Sequence, residues 1–158
     1  MKRLLFLVAL IAFAVACTKE TTTIVDLNEP NDPISVVPAI VLDGISSTQV
    51  QAYTDSLTFL ITYTDGDGDL GNSDADIMDI ELVDTRDEET LIFKYHLSPR
   101  APEGASIAIT GTLDIVLQNT ILLDSNNAQE TTTFKIRLRD RAGNWSNVVE
   151  TETIVIVN

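Results

Sequence analysis

Leu57, Phe59, Ile61 and Tyr63 alternate with Thr58, Leu60, Thr62 and Thr64, and the same two-residue rhythm returns twice further on. Leu91, Phe93, Tyr95 and Leu97 alternate with Ile92, Lys94 and His96; Thr132, Phe134, Ile136 and Leu138 alternate with Thr133, Lys135, Arg137 and Arg139. Successive side chains of a strand point to opposite faces, so this period predicts strands with one buried face and one wet face. Further strands are predicted over 39–42, 78–83, 107–117 and 148–157, where β-branched residues dominate. No stretch beyond residue 16 carries helical periodicity. The expected fold is therefore all-β: a single sandwich of about seven strands occupying residues 38–158.

Asp140-Arg141-Ala142-Gly143-Asn144 joins two of these strands with residues that favour tight, positive-φ connections. The ending FKIRLRDRAGNWSNVVETETIVIV is similar to the last hairpin of bacterial immunoglobulin-like domains, which often carry an Asp-x-Ala-Gly-Asn turn. TFLITYTDGDGDLG resembles the second strand and following loop of small bacterial lipoproteins in the same broad group. The resemblance implies an immunoglobulin-like β-sandwich used for adhesion, display or ligand binding, without catalysis of its own; fold alone does not fix function.

The first residues have a different character. Lys2 and Arg3 precede an uncharged apolar run over 4–16. That run is shorter than the roughly 20 residues a spanning helix needs, and it has the length of a signal-peptide core. Ala14-Val15-Ala16 has the small-x-small pattern of a cleavage site, and the next residue, Cys17, is the sole cysteine. Small residues just before a cysteine resemble the lipobox of bacterial lipoproteins, although Ala14 stands where leucine is usual. The resemblance implies diacylglyceryl transfer to the Cys17 thiol, cleavage before it, and acylation of the new amino terminus. Several acyl chains on one residue anchor a protein stably, where one chain does not. The competing expectation is ordinary cleavage after Ala16 and a secreted protein.

Residues 17–37 carry three consecutive threonines, Asn28-Glu29-Pro30 and Asn31-Asp32-Pro33, with no apolar periodicity. Such a composition predicts a disordered tether behind a signal peptide over 1–16. Lys19-Glu20 resembles the charged export signals of some Gram-negative surface lipoproteins, and Thr18 stands where an aspartate would signal inner-membrane retention. The expected location is the cell envelope, lipid-anchored in the outer membrane, with the membrane face open. With one cysteine, no disulfide can form within the chain, so the fold must rest on its core.

Charge narrows the partners. The chain holds 24 acidic and 10 basic residues; without Lys2 and Arg3 the balance is 24 to 8, a formal −16. Such a surface repels nucleic acid and anionic headgroups and suits a soluble body or one that collects divalent cations; a protein or glycan partner is what the resemblance to immunoglobulin-like modules implies. The sharpest local signal is Asp65-Gly66-Asp67-Gly68-Asp69-Leu70-Gly71. Three carboxylates at alternate positions, with glycines between, can curl around one hard cation such as calcium. Asp76 follows Asp65 by eleven residues, as the last acid of an EF-hand loop would, but Leu70 stands where that loop needs glycine and a strand precedes it. The loop is thus a calcium site of another kind or a hydrated turn. In an immunoglobulin-like sandwich Asp140 would reach the same end as the triplet, giving a candidate set of Asp65, Asp67, Asp69 and Asp140. Asp124 is expected in a loop elsewhere.

Catalytic arrangements find less support. His96 is expected on the wet face, no nucleophile context accompanies it, and paired carboxylates are too common here to single out. One histidine and one cysteine give no zinc spacing. Trp145 either presents its ring to a sugar or partner, or folds back over the sandwich end. Asn144-Trp145-Ser146 fits a glycosylation sequon that a bacterial leader makes empty. The leading expectation is a non-catalytic, envelope-anchored binding, adhesion or display module. Alternatives are a glycan-binding lipoprotein accessory to polysaccharide uptake, using Trp145, and a small hydrolase.

Overall fold

The computed structural model describes residues 34–158; the expected signal peptide, Cys17 and the expected tether as far as residue 33 lie outside the described residues. The fold is all-β and sandwich-like, with ten strands: β1 (Ala39–Ile45), β2 (Gln49–Gln51), β3 (Leu57–Asp65), β4 (Ile80–Asp84), β5 (Ile92–Tyr95), β6 (Ile109–Leu117), β7 (Gln129–Thr132), β8 (Phe134–Leu138), β9 (Val149–Glu150) and β10 (Ile154–Val157). They form three sheets, in the orders β1-β3-β6, β2-β10-β7 and β5-β4-β8-β9.

The expectation of about seven strands is corrected to ten. Gln49–Gln51 holds a single buried residue, Val50, too short a run to show a period. The run expected over 148–157 divides into β9 and β10 because Thr151 turns inward and its hydroxyl accepts from the Phe134 amide at 3.0 Å. The run through Thr132 and Phe134 is the junction of β7 and β8, which take different partners: β7 pairs with β10, and β8 with β4 and β9.

The alternation itself is realised. Leu57, Phe59, Ile61 and Tyr63 of β3 are buried, as are Phe134, Ile136 and Leu138 of β8. Phe59 meets Phe134 edge-on, with ring centroids 5.4 Å apart, and so joins the β1-β3-β6 sheet to the β5-β4-β8-β9 sheet across one core. Strand β10 lies parallel to β2 and antiparallel to β7. Beside β1, the side chain of Asn147 accepts from the Ile40 amide at 2.8 Å and donates to the Ile40 carbonyl at 2.9 Å. One side-chain amide thereby occupies a strand's backbone groups at the sheet edge.

Below the core, Arg86 lies between two acids. Its guanidinium pairs with Asp84 and with Glu130 and also donates to the Ile121 carbonyl. Thr132 donates to the same Asp84, which is buried. This polar knot ties the end of β4 to β7 and to the connection before it. Asp124 lies in that β6–β7 connection, where its amide donates to Glu130.

Candidate metal centre

Strand β3 ends on Asp65, and the alternation that buries Tyr63 buries Asp65 too: its exposure is 0%. The chain then turns through Gly66, Asp67, Gly68 and Asp69 and dives back at Leu70, which is fully buried in the core. Leu70 thus fills the place where an EF-hand has glycine because it anchors the loop to the core. Gly68 adopts φ +74°, and a Cβ there would lie 2.5 Å from the Ile107 carbonyl oxygen. Only glycine takes that turn without strain.

Asp65, Asp67 and Asp69 each bring one carboxylate oxygen to within 4.8 Å of the others. Two oxygens on one calcium ion span at most about 4.6–5.2 Å, twice a calcium–oxygen distance, so the group fits a single ion. The Oδ1 atoms of all three are buried without a hydrogen-bond partner. Their other oxygens are partly engaged. Asp65 Oδ2 accepts from the Asp69 amide at 2.9 Å, and Asp69 Oδ2 accepts from the Ala142 amide at 3.0 Å. A buried acceptor with no donor is costly, and a carboxylate more so. Burial first, then the Asp67 charge and more weakly that of Asp140, push the Asp65 carboxyl above its ordinary range against the hydrogen bonds from the Asp69 and Leu70 amides. Asp69 is raised by burial and then by Asp140 and Asp67.

Asp140 arrives at this end of the molecule, where it bridges Leu70 across an isolated antiparallel pair. Its carboxylate, however, serves its own hairpin: Oδ1 accepts from the Asn144 amide at 2.7 Å and Oδ2 from the Asn144 side chain at 2.8 Å. The tight cluster is therefore the triplet, with Asp140 as a charged neighbour. The basic side chain at this end, Arg141, is directed at carbonyls: it donates to Gly71 at 2.9 Å and to Gly68 at 3.5 Å. No basic side chain among the described residues forms an ion pair with the triplet. Oxygen-only donors at this spacing suit a hard divalent ion.

Other singled-out residues are placed differently. His96 is half-buried, and its Nδ1 donates to the Ile77 carbonyl at 3.1 Å. The wet-face expectation is corrected because β5 ends at Tyr95 and its alternation does not extend to His96. Trp145 is half-buried against Arg137 of β8 and Arg139 just after it, whose guanidinium groups lie 4.0 Å and 5.3 Å from the ring centroid. Arg137 also pairs with Glu81. Sequence reasoning missed Asp79, which is 2% exposed with an unpartnered Oδ2 and faces Arg139 at 3.8 Å. Burial raises its carboxyl even though Arg139 and His96 oppose the shift. It falls near the start of the strand predicted over 78–83, where an acid reads as a solvent-facing residue, so the residue type gave no signal of burial.

No protein-family model matches the chain, and no curated protein matches it. Among solved structures, a crystal structure of a mutant of the SrpA adhesin from Streptococcus sanguinis is similar at 20% identity and a TM-score of 0.36. The similarity covers 80% of this chain and 58% of that one, so the chain spans less than two thirds of the adhesin's length. A likeness of that degree does not extend to function.

Proposed function

We propose that this chain is a non-catalytic lipoprotein module with an immunoglobulin-like fold, anchored in the cell envelope through Cys17 and organised at its loop end by calcium. The observation that carries the cation is the Asp65 carboxylate: fully buried, with one oxygen lacking a donor, beside the half-buried Asp67 and Asp69, each of which also has a buried oxygen without a donor. In this reading the ion locks the β3–β4 connection to the hairpin that follows β8, which Asp69 already touches through Ala142. A rigid loop end is a surface suited to a protein or glycan partner. The anchor rests on the apolar run over 4–16, the small residues before Cys17 and the absence of any other cysteine. The outer membrane is the proposed location.

Calcium titration by calorimetry, paired with thermal melting in calcium and in chelator, tests the site. Binding with a raised melting temperature, both lost in Asp67→Ala and kept in Asp124→Ala, is the expected result. An unchanged melting temperature with no heat of binding at millimolar calcium would reduce the loop to a hydrated turn. Fatty-acid labelling that persists in Cys17→Ser would overturn the anchor.

A further inference from the structure

We propose that cation occupancy at Asp65, Asp67 and Asp69 governs the docking of residues 34–37, and so sets the point at which the chain leaves the domain; this rests on the calcium site proposed above. Residues 34–37 belong by sequence to the tether, yet they lie on the sandwich. Gly66, between the ligands Asp65 and Asp67, donates its amide to the Ser35 carbonyl at 2.9 Å. The contact is close enough that a Cβ on Gly66 would lie 2.1 Å from the Ile34 carbonyl oxygen and 2.7 Å from that of Ser35. The backbone of the lead-in segment thus rests directly on the ligand loop.

Among the described residues little else holds it: Ile34, Val36 and Val37 are exposed, and the other hydrogen bond of the segment, from the Val37 amide to Ser35 Oγ, is internal. A segment with few buried apolar contacts and one backbone tie belongs to the least stable part of a domain. Its docking therefore depends on how firmly Gly66 is presented.

The loop is held unevenly. From Asp67 onward it has fixed partners that need no cation: the Asp67 carbonyl accepts from Ile107, the Asp69 carboxylate from Ala142, and Leu70 sits in the core. The Gly66 amide, by contrast, is tied to Ser35 of the lead-in segment itself. Three carboxylates packed without an ion repel one another, and the part free to yield is the stretch around Gly66. An ion drawing Asp65 and Asp67 together fixes the peptide between them and with it the Ser35 contact. Released, residues 34–37 would free roughly 13 Å of chain ahead of β1, at about 3.3 Å per residue.

Hydrogen exchange on the full chain, with calcium chloride or with chelator, reads this out at the Gly66 and Val37 amides, and calorimetry on the same sample reports binding. The expected result is at least tenfold slower exchange at Gly66 in calcium. Gly66→Ala, which places a methyl group against the Ile34 carbonyl, should leave residues 34–37 exchanging fast in either condition. Calcium binding with unchanged exchange at both amides would overturn the docking switch and leave the cation site standing. No calcium binding at all would overturn the site and the switch with it.

Discussion

Replacing Asp65 by asparagine separates a cation site from an ordinary buried turn, because the two predict opposite signs. Asparagine keeps the shape of the side chain and an oxygen able to accept from the Asp69 amide, but it removes the charge. Each ionised pair within the triplet, with oxygens up to 4.8 Å apart, costs about 3 kcal/mol at an effective dielectric near 20. Proton uptake and solvent relieve part of that, and the weaker hydrogen bond to a neutral acceptor returns about 1 kcal/mol. The net expectation without cation is a gain of about 1–2 kcal/mol, seen as a melting temperature roughly 3–8 °C higher than that of the parent. In calcium at about a hundred times the dissociation constant, the parent gains about 2.7 kcal/mol, or roughly 10 °C, which the variant lacks. The order of the two melting curves should therefore reverse between chelator and calcium. Scanning calorimetry in both buffers is the assay. A variant that melts below the parent in chelator, with a parent indifferent to calcium, would refute the electrostatic reasoning.

Acidity should act in two directions. Asp65, Asp69 and Asp79 sit above their unfolded value of 3.8, so the cation-free folded state takes up protons first and its stability rises as pH falls from 7 through their raised values. Glu130 is held at about 2 by the Leu123 and Asp124 amides, with Asn127 and Arg86 adding to them. Its contribution is complete above the unfolded value of 4.5 and is lost as pH falls toward 2, so melting in chelator should rise from neutrality to a maximum close to pH 4.5 and fall below it. Arg86→Ala leaves the Asp84 carboxylate buried without its counter-charge and should cost about 3–5 kcal/mol in urea unfolding; a loss below 1 kcal/mol would mean that the knot is not structural. Phe134→Ala opens a hole opposite Phe59 and should cost about 3–5 kcal/mol by the same measurement. Trp145→Ala should cost less than about 2 kcal/mol, since the ring is half-buried and its arginine contacts are individually weak; a larger loss would place it in the core.

The central strands were legible because burial on one face leaves a period that nothing else mimics, as in Leu57 to Tyr63 and in Phe134 to Leu138. What escaped was whatever depends on distant partners. Gln49–Gln51 is a strand because β10 pairs with it, and Val155 lies more than a hundred positions after its partner Gln49. Thr133 and Thr151 interrupt apolar runs through side-chain bonds that a pattern of residue types does not record. At the site, the spacing of Asp65, Asp67 and Asp69 announced the triplet, and the topology expected of an immunoglobulin-like sandwich put Asp140 at the same end, where it bridges Leu70. The engagement of Asp140 with Asn144 is a matter of side-chain direction. Asp84-Thr85-Arg86 carried a readable hint, an acid and a base two apart at a strand end, but its third member, Glu130, is local only in space. The resting of Ser35 on Gly66 left no trace except a glycine where the loop already had others.

Strand β10 has a consequence for the order in which this molecule can be made. It is the middle strand of its sheet, so neither β2 nor β7 has a neighbour there until residues 154–157 are available. A ribosome delivers those residues long after β2. Contacts so far apart close slowly, and they close last. During synthesis the earlier part of the chain therefore carries one sheet without its middle strand. Maturation is timed by the arrival of four residues, and a chain truncated before Ile154 would remain soft prey for proteases.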